Sequence, residues 1–443
     1  MQCEDLASRI EEMDFPSGTD IFKENDGTGA GLYLVRSGRI QSLSKLNDYK
    51  RETANGGYFG LSSTVLSDSC SATATAITDT SVGYLSKHDL LEVVGNLSRF
   101  ETNSEGRDTK AETLFTLESL TKHRVLGIGT FGKVRLVSRS QNGRTFSYAL
   151  KVQRKRQLLT ENQANAVIRE VEIMKRLDHP FLLKMVNIYH DSCSVMILLN
   201  LVQGGELYAL MQIQENAIMP SHYSKFYAAC ILEGLHYMHR NSILYRDLKP
   251  ENVLIGKDGY AVIVDFGFAK VVERKAFTLC GTPWYIAPEV ILGRGHDKAC
   301  DYWSWGILVH EMCTGVNPFQ DYGNDQMMLF KGIVKGKYEV SENASADEAS
   351  LVTSLLQSGS PEKRLGNLAK GIVDIKTHPW MKDIDFRKLS KKTYCAPWKP
   401  HVNDPLDVYH FEDIADVEDA EDVDEPLNAT EEKLFSKLDS IKM

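Results

Sequence analysis

The sequence predicts an α+β protein in three successive parts: a small all-β unit, a β-rich lobe and a larger helical lobe. Three observations carry this. Short β-rich runs alternate with glycine turns between Gly31 and Leu85, and apolar strand runs give way to helical spacing after Leu114. The third is length, because 443 residues exceed one ordinary domain. A composition of 42% apolar and 25% charged residues supports sizeable cores and argues against a disordered or collagen-like chain.

In chain order, Leu32-Tyr33-Leu34-Val35, Ser37-Gly38, Gly56-Gly57-Tyr58-Phe59-Gly60 and Ala72 to Ile77 read as short strands and turns of a barrel or sandwich. Leu90 to Leu97 reads as the start of a helix, and the polar stretch Arg99 to Thr113 as a linker. Val125 to Val137, Tyr148 to Val152 and Val195 to Leu201 read as strands. Asn165 to Leu177 has helical spacing, with Val167, Val171 and Met174 on one face, and Tyr223 to His239 and Trp303 to Thr314 are longer helices. The expected domains are 1–98, a linker at 99–113, 114–380, and a tail at 381–443.

The formal charge is −9, from 51 Lys and Arg against 60 Asp and Glu. Asp404 to Glu425 holds 11 acidic residues and no Lys or Arg, leaving 51 basic against 49 acidic residues elsewhere, a net of +2. A near-neutral body of this kind is not expected to bind nucleic acid. No run approaches the ~18 apolar residues of a membrane span, the first 14 residues are acidic, and the eight cysteines are scattered without a C-x-x-C. A cytoplasmic protein with no integral membrane segment is expected.

Gly127-Ile128-Gly129-Thr130-Phe131-Gly132-Lys133-Val134 is a G-x-G-x-x-G-x-V loop between two strands. Glycines let backbone N–H groups approach phosphate oxygens, although such a turn alone is equally an ordinary hairpin. Lys151, in Ala149-Leu150-Lys151-Val152, lies inside an apolar strand, where an ammonium is costly unless an anion meets it. Glu170, nineteen residues on, can pair with it. Tyr245-Arg246-Asp247-Leu248-Lys249-Pro250-Glu251-Asn252, Asp265-Phe266-Gly267 and Ala287-Pro288-Glu289 then follow in order.

Together these motifs resemble the protein-kinase signature set, which implies a bilobal kinase fold, ATP and Mg2+ as cofactors, and phosphoryl transfer. The resemblance implies that Gly127, Gly129 and Gly132 cover the phosphates, that Val134, Ala149 and Leu254 sandwich adenine, and that Lys151, held by Glu170, meets the α and β phosphates. Asn252 and Asp265 are the implied magnesium ligands. Asp247 is the implied proton acceptor for the substrate hydroxyl, with Lys249 beside the γ-phosphate and Thr282 bonded to both. With every position filled, the rival from another class, a non-catalytic nucleotide-binding scaffold (a pseudokinase), has little support.

Lys249 and Gly281-Thr282-Pro283 resemble the serine/threonine branch, and Tyr245 with Thr278-Leu279-Cys280 resembles the AGC group. The resemblance implies Thr278 as an activation-loop phosphosite facing Arg246 and Lys270, and Arg364 as the ion-pair partner of Glu289. It also implies that Glu206, Glu251 and Glu311 hold basic residues before the acceptor Ser or Thr of protein substrates, Glu206 belonging to the nucleotide set as well. Leu279, Pro283 and Ile286 would form an apolar pocket for the residue after the acceptor. His378-Pro379-Trp380, Pro397-Trp398-Lys399-Pro400 and Tyr409-His410-Phe411 resemble an AGC tail whose Phe411 closes the adenine pocket. Leu434-Phe435 is either a terminal aromatic motif or the end of an amphipathic helix.

Phe15-Pro16-Ser17-Gly18, Leu32 to Val35 with Ser37-Gly38, and Tyr58-Phe59-Gly60 resemble a cyclic-nucleotide-binding domain, of β-barrel type. That family places an acidic residue after Phe-Gly for the ribose and an arginine before two small residues for the cyclic phosphate; this chain has Leu61 and Cys70 there. Poor binding of cyclic nucleotide, an uncharged ligand such as a nucleoside, or a structural role is expected. The domain order resembles the cGMP-dependent protein kinases, with regulation by cGMP or another ligand as the implied consequence. One such domain and no heptad run imply a truncated chain or simplified regulation.

Overall fold

The computed structural model describes residues 9–23, 31–44, 49–60, 73–86, 116–129, 132–141, 144–323, 325–411 and 427–441. The chain forms two compact units, Met1–Leu114 and Phe115–Met443.

In the first unit, eight strands form two four-stranded antiparallel sheets. They are β1 (Glu11–Phe15), β2 (Asp20–Phe22), β3 (Gly31–Ser37), β4 (Arg39–Ser44), β5 (Tyr49–Ala54), β6 (Tyr58–Phe59), β7 (Thr73–Ala76) and β8 (Thr80–Ser86). The strand orders are β1-β8-β3-β6 and β2-β7-β4-β5. Alternation sends Tyr33 and Val35 of β3, Ala74 and Ala76 of β7 and Val82 of β8 inward. There they meet Phe22, Ile40 and Phe59, and Tyr33 stacks on Phe59 with ring centroids 4.9 Å apart. Gly38, at φ 92°, turns β3 into β4, where a Cβ would collide with the Asp79 carbonyl and Thr80. The polar β4–β5 hairpin escapes sequence reading because its few inward residues, such as Ile40 and Ser42, are spaced among charged and hydroxyl side chains. The expected helix at 90–97 and the linker lie outside the described residues, as do Leu61 and Cys70.

The second unit opens with a five-stranded antiparallel sheet of order β12-β13-β11-β10-β9. Its strands are β9 (Thr121–Gly129), β10 (Gly132–Gln141), β11 (Arg144–Arg154), β12 (Met185–His190) and β13 (Ser194–Asn200). One face presents Leu126, Leu136, Ala149, Ile197 and Leu199 to the main core, and the other packs Val137, Leu150 and Leu198 with Leu120. Helices α1 (Lys155–Thr160) and α2 (Ala164–Arg176) interrupt the sheet. Val167, Ile168, Val171 and Met174 make the buried stripe of α2, and Glu170 shares that face.

The larger lobe contains α3 (Leu207–Gln212), α4 (Ser221–Arg240), α5 (Pro288–Ile291), α6 (Ala299–Thr314), α7 (Gln326–Lys335), α8 (Ala346–Leu355), α9 (Ile372–Lys376) and α10 (Phe386–Ser390). Two short two-stranded antiparallel sheets, β14 (Ile243–Leu244) with β17 (Lys270–Val271) and, between them in the chain, β15 (Val253–Ile255) with β16 (Ala261–Ile263), carry the loops of the site. α6 is apolar almost all round and correspondingly buried, with Trp303 and Trp305 inside it and the indole N–H of Trp305 donating to the Ala228 carbonyl at 3.0 Å. Gly315, in the left-handed conformation, ends it.

The tail ends in α11 (Ala429–Phe435), started by a capping box of Asn428 and Glu431, and a following 3-10 turn Ser436–Ser440. Phe435 and Leu438 are fully buried against the small lobe, Arg156 pairs with Glu431 at 3.1 Å, and Lys175 donates to the Ile441 carbonyl at 2.8 Å. The Leu434-Phe435 segment is therefore a helix end that docks back on α1 and α2. No helix among the described residues is long and apolar enough to cross a membrane.

Arg364, fully buried, meets Glu289 through two bonds of 2.7 and 3.0 Å and also donates to the Ala299 and Gln357 carbonyls. Replacing Arg364 by Met leaves Glu289 buried without its cation, which should cost about 3–5 kcal/mol. Calorimetric unfolding should show the midpoint of this unit falling by about 10 °C. A midpoint within about 2 °C of the wild type would mean that the pair carries little.

Candidate functional site

A cleft of about 250 Å3 opens between the sheet and the larger lobe, walled by Val134, Ala149, Leu254 and Phe411 with Lys151 and Asp265 at one end. Its apolar walls suit a flat heterocycle and its charged end suits phosphate. A second cavity of about 430 Å3 continues beneath the glycine hairpin and shares Val134, Lys151, Glu170 and Asp265 with the first. Gly132 pairs with Gly129 and Val134 with Gly127 across this hairpin. A Cβ on Gly127 would meet nothing within 4 Å and one on Gly129, which lines the second cavity, only the Gly132 carbonyl at 3.9 Å. At Gly132 a Cβ would strike the Val152 carbonyl of the next strand. Thr130 and Phe131 lie outside the described residues.

Strand β11 faces Lys151 into the cleft and α2 brings Glu170 to it, 2.8 Å from ammonium to carboxylate. Burial lowers the Lys151 pKa, but the charges of Glu170 and Asp265 outweigh it and the net shift is upward, so the group stays protonated. Asp265, with φ 55°, takes an N–H bond from Gly267 at 3.1 Å, while the neighbouring Phe266 is fully buried beneath. Asn252 donates from Nδ2 to the carbonyl and the Oδ2 of Asp247, at 2.9 and 2.8 Å, which leaves its Oδ1 turned away from Asp247. Among the described residues no cluster of three His, Cys, Asp or Glu could hold a metal. One carboxylate and one amide oxygen beside a phosphate-sized space nevertheless fit Mg2+, which takes most of its ligands from phosphate and water.

Asp247 is held by three groups: Asn252, and the N–H and hydroxyl of Thr282 at 3.1 and 3.0 Å from Oδ1. Burial raises its pKa, Lys249 and these hydrogen bonds pull it back, and the balance is upward, which suits a proton acceptor. The loop carrying it hangs from Asp301 of α6. That fully buried carboxylate accepts from the N–H groups of Tyr245 and Arg246 at 3.0 and 2.8 Å and from His239 Nε2 at 2.7 Å. Burial alone would raise the Asp301 pKa, but His239 and the two N–H groups bring it below the ordinary value.

Glu251 is exposed, and its negative charge adds to the upward shift of the Glu311 pKa. Glu311 accepts a short hydrogen bond from the Tyr285 hydroxyl, and burial pushes its pKa up to about 7. Glu206 is exposed at the start of α3, its backbone bridged to Leu254, and is not on the wall of the 250 Å3 cleft. Thr278 is exposed. Arg246 donates from Nε to the Phe268 carbonyl at 2.9 Å and keeps a buried Nη1 without a partner, and both Arg246 and Lys270 act on Cys280, two residues past Thr278. Ile286 is buried, whereas Leu279 is 55% exposed.

Residues 120–381 match the protein kinase domain, more than half of the chain, and the chain belongs to the protein kinase family. Residues 12–96 match the cyclic nucleotide-binding domain. Among its relatives, a cGMP-dependent protein kinase of Caenorhabditis briggsae is 38% identical over 302 residues, 67% of this chain and 40% of that protein. An isozyme 2 cGMP-dependent protein kinase of Drosophila melanogaster is 32% identical over 428 residues, 92% of this chain and 45% of its own length. The cAMP-dependent protein kinase type 3 of Saccharomyces cerevisiae is 36% identical over 296 residues, 67% of this chain and 72% of that protein. The chain thus spans less than half the length of these two cGMP-dependent relatives.

Sequence reading missed the Tyr285–Glu311 contact and the bonds from Gln203 to the tail, since neither partner carries a local signal. For Glu311, an acid whose folded pKa of about 7 exceeds its ordinary 4.5, the stabilising contribution is full at low pH and is lost as pH rises through 7. Glu311→Gln should therefore gain stability over wild type between pH 5 and 8, on the order of 1–3 kcal/mol, in urea titrations at several pH values. Glu348, also pushed to about 7, titrates in both proteins and cancels from the difference. A pH-independent difference would place Glu311 in an ordinary environment.

Proposed function

We propose that this chain is a serine/threonine protein kinase that transfers the γ-phosphate of ATP to protein substrates with basic residues before the acceptor. The observation that carries this is the assembled cleft, with the Lys151–Glu170 ion pair at 2.8 Å beside Asp265, and Asp247 held by Thr282 and Asn252. Lys151 would hold the α and β phosphates, and Asn252 and Asp265 would hold Mg2+, which when bound neutralises phosphate charge. Asp247 orients the acceptor hydroxyl and takes its proton as the oxygen bonds to the γ-phosphorus and ADP departs. Lys249 offsets the charge on the transferred group, and Thr282 keeps Asp247 in place.

Glu251 and Glu311, and Glu206 near Leu254, would meet arginine or lysine upstream of the acceptor. Thr278 is the proposed phosphosite, since a phosphate there would offer the unpartnered Nη1 of Arg246 a charge-assisted bond. A cytoplasmic location is consistent with the absence of a membrane-length helix among the described residues. Kinase assays on peptides with and without arginine before serine test the reading. Asp247→Asn should lower kcat by about 10²–10⁴-fold or more, and arginine should lower peptide KM. Equal phosphate transfer by wild type and Asp247→Asn would leave a nucleotide-binding scaffold instead.

For the N-terminal unit we propose weak cyclic-nucleotide regulation. Leu61 and Cys70 supply neither a carboxylate nor a cation, and losing one charge-assisted bond to phosphate costs about 1.5–3 kcal/mol, roughly one to two decades of affinity. Titration calorimetry with cGMP, cAMP and nucleosides should give dissociation constants for the cyclic nucleotides above the micromolar range; submicromolar affinity would overturn the proposal.

A further inference from the structure

We propose that Gln203 is a positioning residue for the nucleotide: its side-chain amide latches the tail to the connection between the lobes and so sets Phe411 over the cleft. The inference rests on the reading of that cleft as an ATP site. Gln203 lies three residues beyond β13, directly after Leu201 and Val202 of the cleft lining, and is 5% exposed. A buried amide is costly unless it is bonded. Its Nε2 lies 3.2, 3.3 and 3.0 Å from the carbonyl oxygens of Asp404, Pro405 and Asp407, more than 200 residues away in sequence. Only an NH2 group can face three carbonyls, so the acceptors themselves determine which way the amide points. Two hydrogens serve three oxygens, one of them shared.

What the latch holds is stiff. Asp404 Oδ1 accepts from the Leu406 N–H at 2.7 Å, and the Asp407 carboxylate accepts from the N–H of Asn403 and of Tyr409 and from Asn403 Nδ2, at 2.8 to 3.0 Å. The Phe411 N–H then bonds the Val408 carbonyl at 2.9 Å. Fixing residues 404–407 therefore fixes Phe411 four residues further on. The backbone beside Gln203 meets the tail again one residue before Phe411. A Cβ on Gly205, at φ 76°, would lie 3.2 Å from the His410 carbonyl oxygen, so nothing larger than glycine fits without moving the tail. Tyr409, between these attachments, is 82% exposed, its ring edge-on to that of His410.

The full chain and its variants test this by titration calorimetry with Mg·ADP and by hydrogen exchange of the tail amides without nucleotide. Gln203→Ala should weaken nucleotide binding about tenfold and raise ATP KM more than it changes kcat. Gln203→Glu, which keeps the size but turns acceptors on the three carbonyls, should be weaker still, separating the latch from simple packing. In a double-mutant cycle, Gln203→Ala should add little to Phe411→Ala, because the latch acts through that ring. The amides of Tyr409 and Phe411 should exchange faster in nucleotide-free Gln203→Ala. Affinity within about twofold of wild type and unchanged tail exchange would overturn the latch. Failure of the wild type to bind nucleotide would instead overturn the ATP reading, with tail exchange still deciding whether Gln203 anchors the tail.

Discussion

The buried carboxylate of Asp301 is the constraint on which the rest of the site depends. An ionised side chain with no solvent contact is tolerable only when hydrogen bonds replace its water, and here His239 and the N–H groups of Tyr245 and Arg246 do so. Those two N–H groups begin the loop that ends in Asp247, Lys249 and Asn252. One helix therefore sets the position of the proposed proton acceptor and of one proposed metal ligand. It also orients Arg246, whose φ of 70° is unusual for a non-glycine residue and is held by these bonds.

Around that anchor the charges balance in pairs. Lys151 stays protonated in a buried strand because Glu170 and Asp265 offset its desolvation, and Arg364 is admitted to the core by Glu289. Burial lifts the Glu311 carboxyl to about 7, and the hydrogen bond from the Tyr285 hydroxyl does not undo that shift. In the proposed function the nucleotide-facing charges are thus preassembled, and a substrate arginine meeting Glu311 would favour its ionised form.

The tail completes the cleft from outside the catalytic core. Phe411 forms part of the wall, and the far end of the chain returns to the small lobe, where Phe435 is buried and Lys155 lies 5.0 Å above its ring. Of the acidic run that unbalances the net charge, Asp404 and Asp407 belong to the described tail segment, and the rest, from Glu412 to Glu425, follows in the chain outside the described residues.

Much of the chemistry was legible in the sequence because it depends on residue type at short spacing. Glycines in a hairpin, a lysine in an apolar strand and the run from Tyr245 to Asn252 each state a local requirement that no other side chain meets. The strand and helix assignments around them followed from apolar periodicity, and failed for β4 and β5, whose polar residues hide the alternation. The pairings that make a site were not legible: Tyr285 with Glu311, Asp301 with the loop fifty-five residues before it, and Gln203 with carbonyls two hundred residues on. By itself the sequence determined which groups the cleft would contain and that the N-terminal unit lacks the usual charges. Only the tertiary structure decided which of these groups meet, because burial, not sequence spacing, sets the cost of leaving a polar group unpaired and so selects its partner.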